Sequence, residues 1–199
     1  DYGEGKTDSK AYDYQQERTA AAITSFGSDL AEKADISPDN LELVRQKVFD
    51  DNCKGSVICV VTFLPNIYDS SANERNDYLA KVEKVMKKNR KQPFRYFWLQ
   101  AGDQLDLERE LNLGFGFPAV IAISPLKKML ATMRMSFSDS NINQFLSDIL
   151  VGRERLQTLP GDFKVKKADK WDKKDAPPME TLEDEYGEYG DEEEQKDEL

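Results

Sequence analysis

Two cysteines, Cys53 and Cys59, stand six positions apart, and the chain has no histidine at all. Without an imidazole there is no His-based general acid or base and no Ser/His/Asp or Cys/His nucleophile, and with so few soft ligands there is no ordinary four-ligand zinc site. The cysteines themselves admit three readings. They can form a structural disulfide, closing a short loop worth about 2 kcal/mol by the chain-entropy model, or they can be two buried thiols acting as small apolar groups. The third reading, a redox-active pair, meets a spacing that is not Cys-x-x-Cys, with no helix N-terminus or clear cation near Cys59 to hold a thiolate.

Charge supplies the other chemistry. The chain carries 38 acids against 28 bases, a net charge of −10. Eleven of the acids and a single lysine fall within residues 180–199, so the rest of the chain is neutral in balance. A neutral body does not offer the positive footprint that nucleic acid requires, so no nucleic-acid partner is expected. Carboxylates are hard oxygen ligands, and Glu192, Glu193 and Glu194 are candidates for weak calcium binding. No Asp-x-Asp-x-Asp-Gly loop organises them, so calcium is the one cofactor considered and its affinity would be on the order of millimolar. No run approaches the ~20 apolar residues of a bilayer span, and no membrane insertion is expected.

The elements that position these groups centre on residues 56–71. Val57 to Leu64 is continuously apolar or β-branched, the signature of a strand buried on both faces. Pro65 ends it, and a polar loop leads into a helix over residues 71–91, where Tyr78, Leu79, Val82, Val85 and Met86 recur at helical spacing. Before this unit the pattern predicts a short amphipathic helix from Thr19 to Leu30, a turn at residues 36–40, a strand over 41–44 and a helix over 45–52. After it come an aromatic strand over 94–99, a short helix over 103–111, strands over 117–124 and 127–135, and a helix over 138–151 with Ile142, Phe145, Leu146, Ile149 and Leu150 on one face. The order β, α, β, α, β, α, β, β, α is similar to the thioredoxin fold, an α/β fold with a central mixed sheet flanked by helices.

Several stretches are similar to the protein disulfide-isomerase family: Phe63 to Asp69, Arg75 to Leu79, Trp98 to Gln104, Gly114 to Ala119, Phe137-Ser138 and Trp171-Asp172. The resemblance is to the C-terminal part of a member with two catalytic thioredoxin domains followed by a non-catalytic one. It implies three parts: residues 1–36, the end of a preceding catalytic domain plus a linker; 37–155, the non-catalytic thioredoxin-like domain; and 156–199, a linker and a disordered acidic tail. It implies a cis peptide bond at Pro118, facing the loop after the first buried strand. In the catalytic domains of the family that loop carries Pro-Trp-Cys-Gly-His-Cys. Here Ile67 and Ser70 stand at the cysteine positions, and neither side chain can form a thiolate or a mixed disulfide. No catalytic residue is therefore expected.

The family's non-catalytic domains bind unfolded clients or partner chaperones. Ile67, Tyr68, Phe115 and Phe117 flank the loop and Pro118, and are the candidate contacts for unfolded or misfolded secretory proteins or for chaperones of the endoplasmic reticulum (ER); closing the core is the alternative for each. The chain ends in Lys196, Asp197, Glu198 and Leu199, the retrieval signal read by the KDEL receptor, so the ER lumen is the expected location.

Overall fold

The structure, a computed structural model, describes residues 14–15, 17–33, 39–114 and 116–178. Helix α1, Ala20–Lys33, precedes the sheet domain, and the Phe26 ring packs edge to face on Tyr14 with centroids 4.9 Å apart. The domain then runs β1 Asn40–Glu42, α2 Gln46–Asn52, β2 Ile58–Leu64, α3 Ala72–Lys88, β3 Phe94–Gln100, α4 Leu105–Glu110, β4 Ala119–Ser124, β5 Met129–Thr132, α5 Asp139–Leu150 and β6 Gln157–Thr158. The strands form one sheet in the order β1-β3-β2-β4-β5-β6. β1, β3 and β2 are parallel, and β4, β5 and β6 continue antiparallel.

Strand β2 lies between β3 and β4 and is buried over Cys59–Leu64, which is why its sequence shows no polar alternation. Its residues divide between two apolar layers. Cys59, Val61 and Phe63 face Phe49 of α2 and Leu107 of α4. Val60 faces Val82, Val85 and Met86 of α3 and Ile142, Phe145 and Leu146 of α5. Ser71 and Glu74 close a reciprocal capping box at the start of α3, and Ser138 caps α5 by accepting from the Asn141 amide at 3.1 Å.

Two expected strands are shorter than their apolar runs. Pro118 has no amide proton to give to the sheet, so β4 begins one residue after it, at Ala119. In β5 the run from Lys127 is shortened by a turn residue, Lys128, with φ 51°.

The segment after α5, where the sequence suggests only linker and tail, lies on the domain as far as Asp175. β6 pairs with β5, and the chain then crosses the α2–α4 face of the sheet. Phe163 and Val165 are 6% and 7% exposed, and Phe163 packs on Phe49 with ring centroids 4.4 Å apart. Two buried or half-buried amides pin this strap with both ends of their side chains. Gln46 donates to the Phe163 carbonyl at 3.1 Å and accepts from the Val165 amide at 2.6 Å. Gln104 donates to the Lys166 carbonyl at 3.0 Å and accepts from the Lys166 amide at 2.8 Å. Farther on, Ala168 donates to the Val44 carbonyl, and the Asp175 carboxylate accepts from the Ala72 amide at the start of α3. With its apolar residues scattered at Leu159, Phe163, Val165 and Trp171 and no periodicity, the strap makes no signal that a pattern search detects.

Removing a buried phenyl ring costs about 3 kcal/mol. We therefore expect Phe163→Ala to lower the unfolding free energy by about that amount in urea titration. A change below about 0.5 kcal/mol would show that residues 159–175 add nothing to the fold.

Candidate functional site

The parallel strands β1, β3 and β2 end at one edge of the sheet, and the loop from Pro65 to Ser71 sits there, joining β2 to α3. Its conformation is fixed by amide chemistry. Asn66 donates from Nδ2 to the Ala101 carbonyl at 3.2 Å and accepts from the Tyr68 amide at 3.0 Å, a local turn of the kind Asn favours. The Asp69 amide and the Ser70 hydroxyl both donate to the Asn66 carbonyl, at 3.0 and 2.9 Å. The Ile67 amide donates to Gln100 Oε1 at 3.1 Å.

Beneath the loop lies Arg75, a single turn into α3 and 1% exposed. One guanidinium nitrogen, Nη2, donates to the Pro65 carbonyl at 2.8 Å and to Gln100 Oε1 at 2.7 Å. The guanidinium carbon lies 5.0 Å from the Trp171 ring centroid and 5.9 Å from that of Trp98, within the range of cation–π attraction. Burial draws the guanidinium below its ordinary value, against the opposing charges of Glu42 and Asp103. It stays charged nonetheless.

Glu42 on β1 accepts from the Trp171 amide at 2.8 Å. Desolvation raises its carboxyl above the usual range; the Trp171 hydrogen bond, Lys170 and Arg75 oppose that rise without cancelling it. Glu42, Ile67, Arg75, Gln100 and Trp171 share a cavity of about 350 Å³ under the strap.

On the other side of the loop an open groove of about 570 Å³ is lined by Pro65, Asn66, Ser70, Ala101, Gly102 and Phe117 among others. The Phe117–Pro118 peptide bond beside it is cis. The Phe117 ring is half-buried and stacks on Phe63, with centroids 6.4 Å apart. Glu108 of α4 is buried in the wall, and its Oε1 accepts from the Gly102 amide at 2.8 Å. Gly102 adopts φ +90°, the left-handed region that favours glycine.

The candidates drawn from the sequence thus separate. Phe117 and Ser70 line the groove, Ile67 lines the cavity behind the loop, and Tyr68 projects outward at 58% exposure. Phe115, Glu192, Glu193, Glu194, Lys196, Asp197, Glu198 and Leu199 lie outside the described residues. Cys53 and Cys59 are joined by a disulfide, Cys59 fully buried, at the amino end of β2. Six residues of strand separate Cys59 from Pro65, about 20 Å at 3.3 Å per residue. The bridge therefore staples α2 to the sheet far from the loop.

Sequence reasoning passed over Arg75, Gln100, Glu42 and Glu108. A signal existed for the first: Arg75 precedes Tyr78, Leu79 and Val82 by three, four and seven positions, on the stripe that α3 buries. A charge on such a stripe requires partners. The pairing with Gln100, 25 residues on, has no local trace.

Residues 31–154 match the family model described as the PDIA6-like, C-terminal thioredoxin-like domain. The chain belongs to that family, and its fold is thioredoxin-like. It is 34% identical over 183 residues to protein disulfide-isomerase 2-3 of Arabidopsis thaliana, covering 92% of this chain and 41% of that protein. It is 33% identical to a protein disulfide-isomerase A6 homolog of Caenorhabditis elegans, with 88% and 40% covered. It is 34% identical to protein disulfide-isomerase A6 of Homo sapiens, with 82% and 38% covered. The chain thus spans about two fifths of the length of these curated relatives. Among solved structures, the bb fragment of ERp72 aligns with a TM-score of 0.45 at 15% identity over 64% of this chain and 56% of that one. No helix among the described residues is long and apolar enough to cross a membrane.

The raised carboxyl of Glu42 has a sign. The folded state holds this proton more tightly than the unfolded chain does, so the stability contribution is present at low pH and is lost as pH rises through the folded-state value. Glu42→Gln keeps an acceptor for the Trp171 amide and removes the ionisation. We expect it to raise the melting temperature modestly at pH 7, with the gain shrinking as pH falls through the carboxylate range. A loss of stability at pH 7 would contradict the desolvation argument.

Proposed function

We propose that the chain is the redox-inactive, C-terminal part of an ER protein disulfide isomerase, and that its domain holds unfolded or misfolded secretory proteins, or a partner chaperone, in the groove between the Asn66–Ser70 loop and Pro118. One observation carries this reading. The loop that would hold the reactive thiols is a closed network of amide and hydroxyl hydrogen bonds, yet the groove beside it stays open and is flanked by exposed Tyr68 and Leu105. Chemistry has been removed from the position and accessible surface kept. Exposed aromatic and apolar residues around a concave site are the usual marks of protein recognition.

On this reading the formation and rearrangement of disulfides belong to Cys-x-x-Cys domains elsewhere in the longer protein, with this domain supplying affinity for the client. Retrieval through Lys196, Asp197, Glu198 and Leu199 would keep the protein in the ER lumen. Weak calcium binding at Glu192, Glu193 and Glu194 is a separate proposal for the tail, to be measured by calorimetry with and without residues 180–199. Redox turnover at Cys53–Cys59 is not favoured, because that bridge is buried and remote from the groove.

The test is chemical-shift mapping with an unfolded client peptide, alongside an insulin-reduction assay. We expect shifts concentrated at residues 66–71, 101–105 and 117, and no thiol-dependent turnover. Shifts confined to another face would refute the groove, and turnover that vanishes with Cys59→Ser would refute the redox-inactive reading.

A further inference from the structure

The groove that the proposed function assigns to clients has a definite charge. Among the described residues three carboxylates contribute to its lining, those of Asp69, Glu74 and Glu108, and no lysine or arginine does. Its apolar surface comes from Tyr78, Leu105 and Phe117, with Leu105 62% exposed. Two cations lie close by: the Arg75 guanidinium, buried behind Pro65 and bonded to its carbonyl at 2.8 Å, and Lys81, over the Tyr78 ring at 5.3 Å from its centroid, one turn farther along α3.

The carboxylates have capacity to spare. Glu74 uses Oε2 for the Ser71 amide and hydroxyl. Glu108 uses Oε1 for the Gly102 amide. Asp69 lies exposed at the mouth of the groove. An ionised carboxyl offers about four acceptor sites, so each has room for a further donor.

Resting on the client-binding reading, we propose that the groove selects extended segments in which Lys or Arg alternates with apolar residues, and disfavours acidic ones. Charge complementarity supplies the argument. The apolar floor takes side chains without regard to charge, while the walls attract cations and repel carboxylates. From the strap only Asp175 adds to this, its carboxylate fixed at the amide of Ala72, two residues before Glu74, while the rest of the strap carries more lysines than acids.

The experiment uses the full chain and three unstructured peptides alike in their Phe and Leu positions, carrying Lys, Gln or Glu between them. Exposed ion pairs are worth at most a few-fold each and are screened by salt. We expect the Lys peptide to bind roughly three- to tenfold more tightly than the Gln peptide at physiological salt, and the Glu peptide more weakly than either. Asp69→Asn combined with Glu74→Gln keeps the turn and the capping box, and should collapse the Lys preference. Equal binding of all three peptides would overturn the charge selection and leave the client reading standing, whereas binding of none would overturn that reading too. A Lys preference that survives the double substitution, or disappears only on removing residues 179–199, would place the selection outside the groove and overturn the proposal.

Discussion

A buried cation holds the carboxyl end of this sheet together. Burying a guanidinium without a hydrogen-bonded carboxylate is costly, and the chain offsets the cost with neutral acceptors and ring faces. Arg75 reaches the Pro65 carbonyl and Gln100, and Gln100 in turn accepts from the Ile67 amide, so the β2–α3 loop and the end of β3 converge on one side chain. Trp171 completes the enclosure from the strap, with its own amide on Glu42. Among the described residues Arg75 Nε has no hydrogen-bond partner, a further cost of burying the group.

From that constraint follows a division between the two ends of β2. At its amino end a disulfide fixes α2 to the sheet. At its carboxyl end, where members of the family with catalytic domains place reactive thiols, hydrogen bonding organises the loop around Asn66. A loop shaped by amide groups needs no thiolate stabilisation, and its position at the strand ends leaves it next to an open groove.

Much of this was legible in the sequence, for identifiable reasons. The unbroken Val57–Leu64 run and the apolar stripe of α5 encode their elements locally, and the interruption of β4 follows from a single proline. What stayed hidden depends on distant partners. The strap shows only scattered apolar residues, Leu159, Phe163, Val165 and Trp171, and it is held by Gln46 and Gln104, residues whose exposed and buried forms look identical in sequence. Arg75 stood on a buried stripe, but its acceptors are a backbone carbonyl and a glutamine, neither of which marks itself. That Ile67, in the β2–α3 loop, and Phe117, beside Pro118, face different hollows is a matter of direction that spacing does not specify.

The central claim, that the loop is held by Arg75, is tested most directly by amide hydrogen exchange in Arg75→Met, which keeps much of the apolar stem and removes the guanidinium. The account predicts that the Ile67 and Tyr68 amides lose protection by about tenfold or more while the Val61 amide, in the middle of β2, remains protected, a local opening below global unfolding. Unchanged protection at Ile67 and Tyr68 in a folded variant would contradict it.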